Sequence, residues 1–121
     1  MTKTPFSLTE IHAATRVVLR ACGRLTFGDG ADDPLWAAHL ERAHTADVEL
    51  DLSCVQQVDA RGLGVLATLA QRTVEHGRRV SIVAASRVVQ RLGRLAGLDR
   101  VMAGNWDTPA TAPDCLSRCG L

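Results

Sequence analysis

The sequence predicts a single α/β domain, a small mixed and mostly parallel β-sheet with helices packed mainly on one face. Three observations carry this. The period of apolar residues switches from strand-like to helical at Asp59, helix-start and helix-stop residues recur in order along the chain, and the composition is that of one globular unit. At 121 residues with 46% hydrophobic content, the chain is long enough to bury a core without disulfides or metal.

Residues 1–8 read as a loose N-terminal arm, 9–103 as the domain and 104–121 as an atypical tail. Glu10–Arg16 is a strand candidate, followed by a clearer strand over Val17–Phe27. There Val17, Leu19 and Ala21 alternate with Val18, Arg20 and Cys22 until Gly23 imposes a bulge or turn. Gly28–Asp33 is rich in turn residues. Asp33-Pro34 reads as N-cap and first helical residue, opening a helix to about His44 with Trp36, Leu40 and Ala43 on one face. Trp36 is a core residue in this reading, because the chain has few other aromatics to fill its interior.

The central strand is the clearest element. Val48, Leu50 and Leu52 alternate with Glu49 and Asp51, the period of a half-buried strand. A short segment, Cys54–Val58, leads to Asp59 as an N-cap, and a helix runs from about Ala60 to His76. Its inner stripe is expected at Leu63, Leu66, Ala67, Ala70 and Val74, leaving Arg61, Val65, Thr68, Leu69, Arg72 and His76 outward. Gly77 ends that helix. Arg79–Ala84 is the next strand, and Ser86 caps a helix over Arg87–Ala96 with Val88, Leu92 and Leu95 inward. Gly97 and Leu98 fit a Schellman ending, and Val101-Met102 a short edge strand. Beyond it, Pro109 and Pro113 leave room only for a short helical turn.

Several chemistries are disfavoured. The net charge of +1 argues against general nucleic-acid binding, which needs clustered positive charge. No apolar run reaches membrane-spanning length and the start lacks a signal-peptide core, so a cytoplasmic protein without membrane insertion is expected. Gly62 and Gly64 hint at a dinucleotide loop, but the third glycine is missing and packing of the helix start is the stronger reading. Asp51 at the end of the alternating run suggests a phosphorylated receiver, yet Lys3 is the only lysine and cannot complete such a site. Cys22, Cys54, Cys115 and Cys119 read as free thiols; Cys115 and Cys119 share i, i+4 spacing but lack neighbours to complete a tetrahedron. His12, His39, His44 and His76 show no ligand spacing and read as surface or half-buried. No catalytic residue, metal or cofactor is assigned.

What remains is a surface. Asp59, Ala60, Arg61, Gly62, Val65 and Leu69 form a candidate docking patch, although isolated exposed aliphatics are also ordinary surface. Arg87, Arg91 and Arg94 form a second stripe, either a solvated face or a contact for an anion or acidic partner.

The strand VELDLSCV, the turn DARGLG and the run RVVQRLGRLAGLDRVM, with the weaker CGRLTF, resemble the STAS domains of bacterial anti-sigma factor antagonists and sulfate transporters. The resemblance covers about Val17 to Met102 and implies a non-catalytic interaction module in transcription regulation. In phosphoregulated members the turn reads D-S-x-G or D-T-x-G and its hydroxyl accepts phosphate from a partner kinase. Here that place is Ala60, followed by Arg61. The resemblance implies docking on an anti-sigma factor or GHKL-type kinase without the usual phosphorylation switch. Its alternatives are an accessory subunit acting with an ABC-type transporter ATPase, or a small-ligand-sensing module; homodimer formation stays open.

Overall fold

A computed structural model of the chain describes residues 6–13, 15–41 and 46–107. Strands β1 (Ser7–Ala13), β2 (Arg16–Leu25), β3 (Asp47–Val58), β4 (Val80–Ala85) and β5 (Ala103–Gly104) form one sheet in the order β1-β2-β3-β4-β5. Only β1 runs antiparallel to its neighbour; β2 through β5 are parallel. The helices are α1 (Pro34–Glu41), α2 (Ala60–Glu75), α3 (Arg87–Leu95) and the single turn α4 (Leu98–Val101). The expected single α/β domain with a mostly parallel mixed sheet is therefore present.

α2 and α3 pack against β3 and β4, and α1 and α4 lean on α2. Leu19, Leu25, Leu50, Leu52, Leu66, Leu69, Val89 and Met102 are fully buried between them. Trp36 is buried as expected, and its Nε1 donates to the Gly30 carbonyl at 2.9 Å. Asp33 opens α1, its Oδ1 accepting from Leu35 N at 2.9 Å. The β2–β3 register shifts around Gly23, where φ is 105°, so the expected bulge is there. Gly77 and Gly97 both adopt the left-handed conformation (φ 72° and 79°) that ends a helix without a Cβ penalty.

Several boundaries and faces differ from the sequence reading. β1 starts at Ser7 and Leu8 is buried, so the sheet takes in the end of the expected arm. β2 stops at Leu25 because the chain turns at Thr26, whose carbonyl accepts from Asp29 N and Ala31 N; Phe27 is left 74% exposed. Cys54–Val58 is no separate segment but the end of β3, paired with β2 to Leu25↔Val58. Val101 belongs to α4, and the edge strand comes after it.

On α3 the inner residues are Val89 and Gly93, with Val88 and Leu92 half-buried and Leu95 77% exposed. The cause lies beyond the helix. Trp106, expected in the unplaced tail, is buried and sits where a Cβ on Gly93 would meet its ring at 2.7 Å. Its Nε1 donates to the Met102 carbonyl at 2.8 Å, and Asn105 N donates to the Ile82 carbonyl. The start of the tail is thus part of the domain. Ser86 holds the N-cap position of α3, but its side chain makes no cap bond and its buried Oγ has no partner among the described residues.

The sheet's second face is polar rather than open. Asp51 and Ser53 are buried there because their polar groups satisfy each other. Asp51 takes Arg20 Nε at 3.3 Å on one oxygen, and Ser53 N and Oγ at 3.1 and 2.6 Å on the other. His39, expected at the surface or half-buried, is buried, its Nδ1 2.9 Å from Glu10 Oε1. Cys54 is buried and forms no disulfide, as expected, but Cys22 is disulfide-bonded. Sequence spacing carries no information on which thiols meet in space or on the redox surroundings that join them. Cys115, Cys119 and His44 lie outside the described residues.

Candidate functional site

The carboxyl end of β3 and the start of α2 build the site. After Val58 the chain stays extended at Asp59 (φ −119°, ψ −172°) and then enters the helix. The Asp59 carboxylate works in two directions. Oδ1 accepts from Gly62 N at 2.9 Å, capping α2, and Oδ2 accepts from Phe27 N at 2.9 Å. One side chain therefore ties the helix start to the loop after β2. The capping role was legible in the sequence; the bond to Phe27, across 32 residues, was not.

These donors favour the charged form, so the Phe27 and Gly62 N–H groups hold the Asp59 carboxyl below its ordinary value of 3.8. Because the folded-state value is the lower one, the stabilisation is fully present above pH 3.8. It falls as the pH drops below 3.8 and is gone below the folded value. Thermal melts of Asp59→Asn against the native chain should differ most at neutral pH, and the gap should close in acid below pH 3.8.

Gly62 is where the helix touches the sheet. A Cβ there would overlap the Leu25 carbonyl and come within 2.9 Å of Val58 Cγ2. The residue is buried, which corrects its place in the surface patch: it sets the height of the turn and is not offered to a partner. Leu69 is the larger correction. It is 0% exposed, inside the core, whereas Val74, expected inside, is 59% exposed. The inner face of α2 is Gly62, Leu66, Leu69, Ala70 and Thr73. At ~100° per residue this lies about 70° from the expected stripe. Thr73 tolerates burial because its Oγ1 donates to the Leu69 carbonyl at 2.7 Å.

Ala60 and Arg61 remain exposed at the turn, and Val65 is half-buried beside them. Arg61 Nη2 donates to Asp32 Oδ1 at 3.1 Å, while Asp32 Oδ2 accepts from Gly28 N. This exposed pair is worth ~0–1 kcal/mol, so it opens at little cost. It bridges a cleft of about 600 Å³ between α1 and α2, floored by Trp36, Ala37, Gly64 and Val65. Gly64 has nothing within 4 Å of a built Cβ, so internal packing does not require a glycine there. The acidic partner of Arg61 was missed because 29 residues separate it from Asp32.

The three stripe arginines stand apart from this site. Arg87 and Arg91 are exposed on α3, and Arg94 is paired with Asp107, so the stripe is not a free basic face along its length. Among the described residues no group of three or more His, Cys, Asp or Glu is placed to hold a metal, and no helix is long and apolar enough to cross a membrane.

A polar turn at the carboxyl edge of a mostly parallel sheet thus feeds a capped helix. Residues 9–104 match the family described as the Mlab STAS domain, and the chain belongs to the STAS domain family. Solved structures agree with this fold. The anti-sigma factor antagonist SpoIIAA in its unphosphorylated form superposes with a TM-score of 0.67 at 18% identity, covering 96% of this chain and 97% of that one. An anti-sigma factor antagonist from Mycobacterium paratuberculosis gives 0.60 at 21% identity, covering 97% of each chain. A structure from Thermotoga maritima, a presumed antagonist, gives 0.62 at 16% identity, covering 94% of this chain and 95% of that one. No curated protein matches the sequence.

Proposed function

We propose that the chain is a non-catalytic docking module of the anti-sigma factor antagonist kind. In this reading it captures an anti-sigma factor or GHKL-type kinase through Ala60, Arg61 and Val65, with Asp59 and Gly62 fixing the turn beneath them. The observation that carries the proposal is the exposed methyl of Ala60 within DARGLG, where phosphoregulated STAS domains bear Ser or Thr. A methyl group takes no phosphate, so the charge and bulk that would break the interface cannot be added there. The module resembles a permanently unphosphorylated antagonist, regulated by abundance or elsewhere in the chain. Support comes from the fold shared with anti-sigma factor antagonists and from the shallow cleft beside the turn, rimmed by an exchangeable ion pair.

A second reading is favoured by the description of the matching family, the Mlab STAS domain. There the same face docks on the ATPase of an ABC-type transporter, a role that needs no kinase switch. Isolation of the tagged chain from its native cells, with mass spectrometry of what accompanies it, separates the two. An anti-sigma factor or GHKL-type kinase is the result expected from the first reading. An ABC ATPase moves the protein to the second, and neither class of partner defeats both.

A further inference from the structure

We propose that the far end of the sheet carries a second docking surface, for an acidic polypeptide segment that presents an apolar side chain between its carboxylates. Where β3 and β4 begin, a cleft of about 650 Å³ is lined by Arg16, Arg78, Arg79 and Arg100. Its charges are unevenly engaged. Arg16 is paired with Glu49 at 3.3 Å, and Asp47 Oδ1 accepts from the backbone N–H of Arg79 at 3.0 Å. The guanidinium groups of Arg78, Arg79 and Arg100 have no acceptor among the described residues, and exposed Asp99 offsets one of the three positive charges.

Beside these arginines lies an aliphatic surface. Val74 at the end of α2 and Val101 on α4 are 59% and 55% exposed, and both line this cleft. They also line an adjoining cleft of about 510 Å³ with Ala67 and Ala70, where the Glu75 carboxylate accepts from Gln71 Nε2 at 3.1 Å. Unpaired guanidinium forks suit carboxylates, and two exposed valines with an alanine floor suit one aliphatic side chain. Charge complementarity therefore selects an acidic partner segment. Two valines are a shallow anchor for a lipid surface.

β3 spans Asp47–Val58, so its two ends lie about 36 Å apart at ~3.3 Å per residue. A segment held at the arginine end leaves the Asp59 turn free, and the inference stands whichever partner that turn takes.

The test uses the full chain and a fluorescein-labelled helical peptide of repeating Leu-Glu-Glu, read by anisotropy. Saturable, salt-sensitive binding is expected, about tenfold weaker in Arg78→Ser/Arg79→Ser/Arg100→Ser and also weaker in Val74→Ser/Val101→Ser. All five side chains project from the surface, and melting curves will show that the variants fold. Equal binding of a Leu-Lys-Lys peptide, native-like binding by the arginine triple variant, or absence of saturation overturns the proposal. Binding to phosphatidylglycerol vesicles without binding to the acidic peptide does the same.

Discussion

Leu69→Asp should leave the chain unfolded at room temperature. Truncating a buried leucine alone costs ~2–5 kcal/mol, and Leu69 is 0% exposed among Leu66, Ala70 and the β3 strand residues of the core. Aspartate adds the cost of an ionised carboxylate with no partner, several kcal/mol more, or of the proton uptake that avoids it. Domains of this size have about 5–15 kcal/mol in total. Circular dichroism should show lost helix and strand signal, or a transition displaced far downward. Leu69→Met, which keeps volume and polarity, should cost about 1 kcal/mol and serves as the control. A cooperative, native-like melt for Leu69→Asp would mean that α2 presents this residue to solvent.

Gly62→Ala should be strongly destabilising for a single added methyl. The added carbon overlaps the Leu25 carbonyl, a backbone atom that moves only with β2, and crowds Val58 Cγ2 at 2.9 Å and Leu25 Cγ at 3.0 Å. Overpacking against side chains costs ~1–3 kcal/mol, and a backbone obstacle places this change at about 3 kcal/mol. For a domain of this length that is a loss of about 10 °C in melting temperature. Because Gly62 N is also the amide that Asp59 Oδ1 accepts from, the turn shifts with the helix, and partner affinity should fall too. Gly64→Ala makes the comparison sharp. The same methyl two residues on meets nothing within 4 Å, so the ~1 kcal/mol helix preference of Ala over Gly should stabilise the chain.

The sequence reading recovered most of the fold because the period change at Asp59, the Asp33-Pro34 start and the two helix-ending glycines each have a local cause. The phase of α2 was harder to read. Leu63, Val65, Leu66, Leu69, Ala70 and Val74 spread apolar character around much of the helix, so hydrophobicity alone leaves its rotation open. Two residues without large apolar side chains decide it: Gly62, which allows contact with β2, and Thr73, whose hydroxyl is satisfied within the helix. Long-range partners were not legible at all. Asp59 with Phe27 and Arg61 with Asp32 meet only after β2, α1 and β3 have been assembled. Trp106 escaped because its socket is a glycine, which carries no side chain to suggest a contact.

The central claim is that an unswitched turn at Ala60 forms the docking face. Its direct measurement is a calorimetric titration of the partner recovered with the tagged chain against the native protein, Ala60→Asp and Arg61→Glu. Both positions are exposed, so each variant should melt close to the native chain. Ala60→Asp places an unpaired charge in the interface, where a phosphate would sit in a regulated relative. Its affinity should fall about thirtyfold, near 2 kcal/mol, and that of Arg61→Glu should also fall. Native affinity in both folded variants would place the partner elsewhere on the molecule and contradict the account.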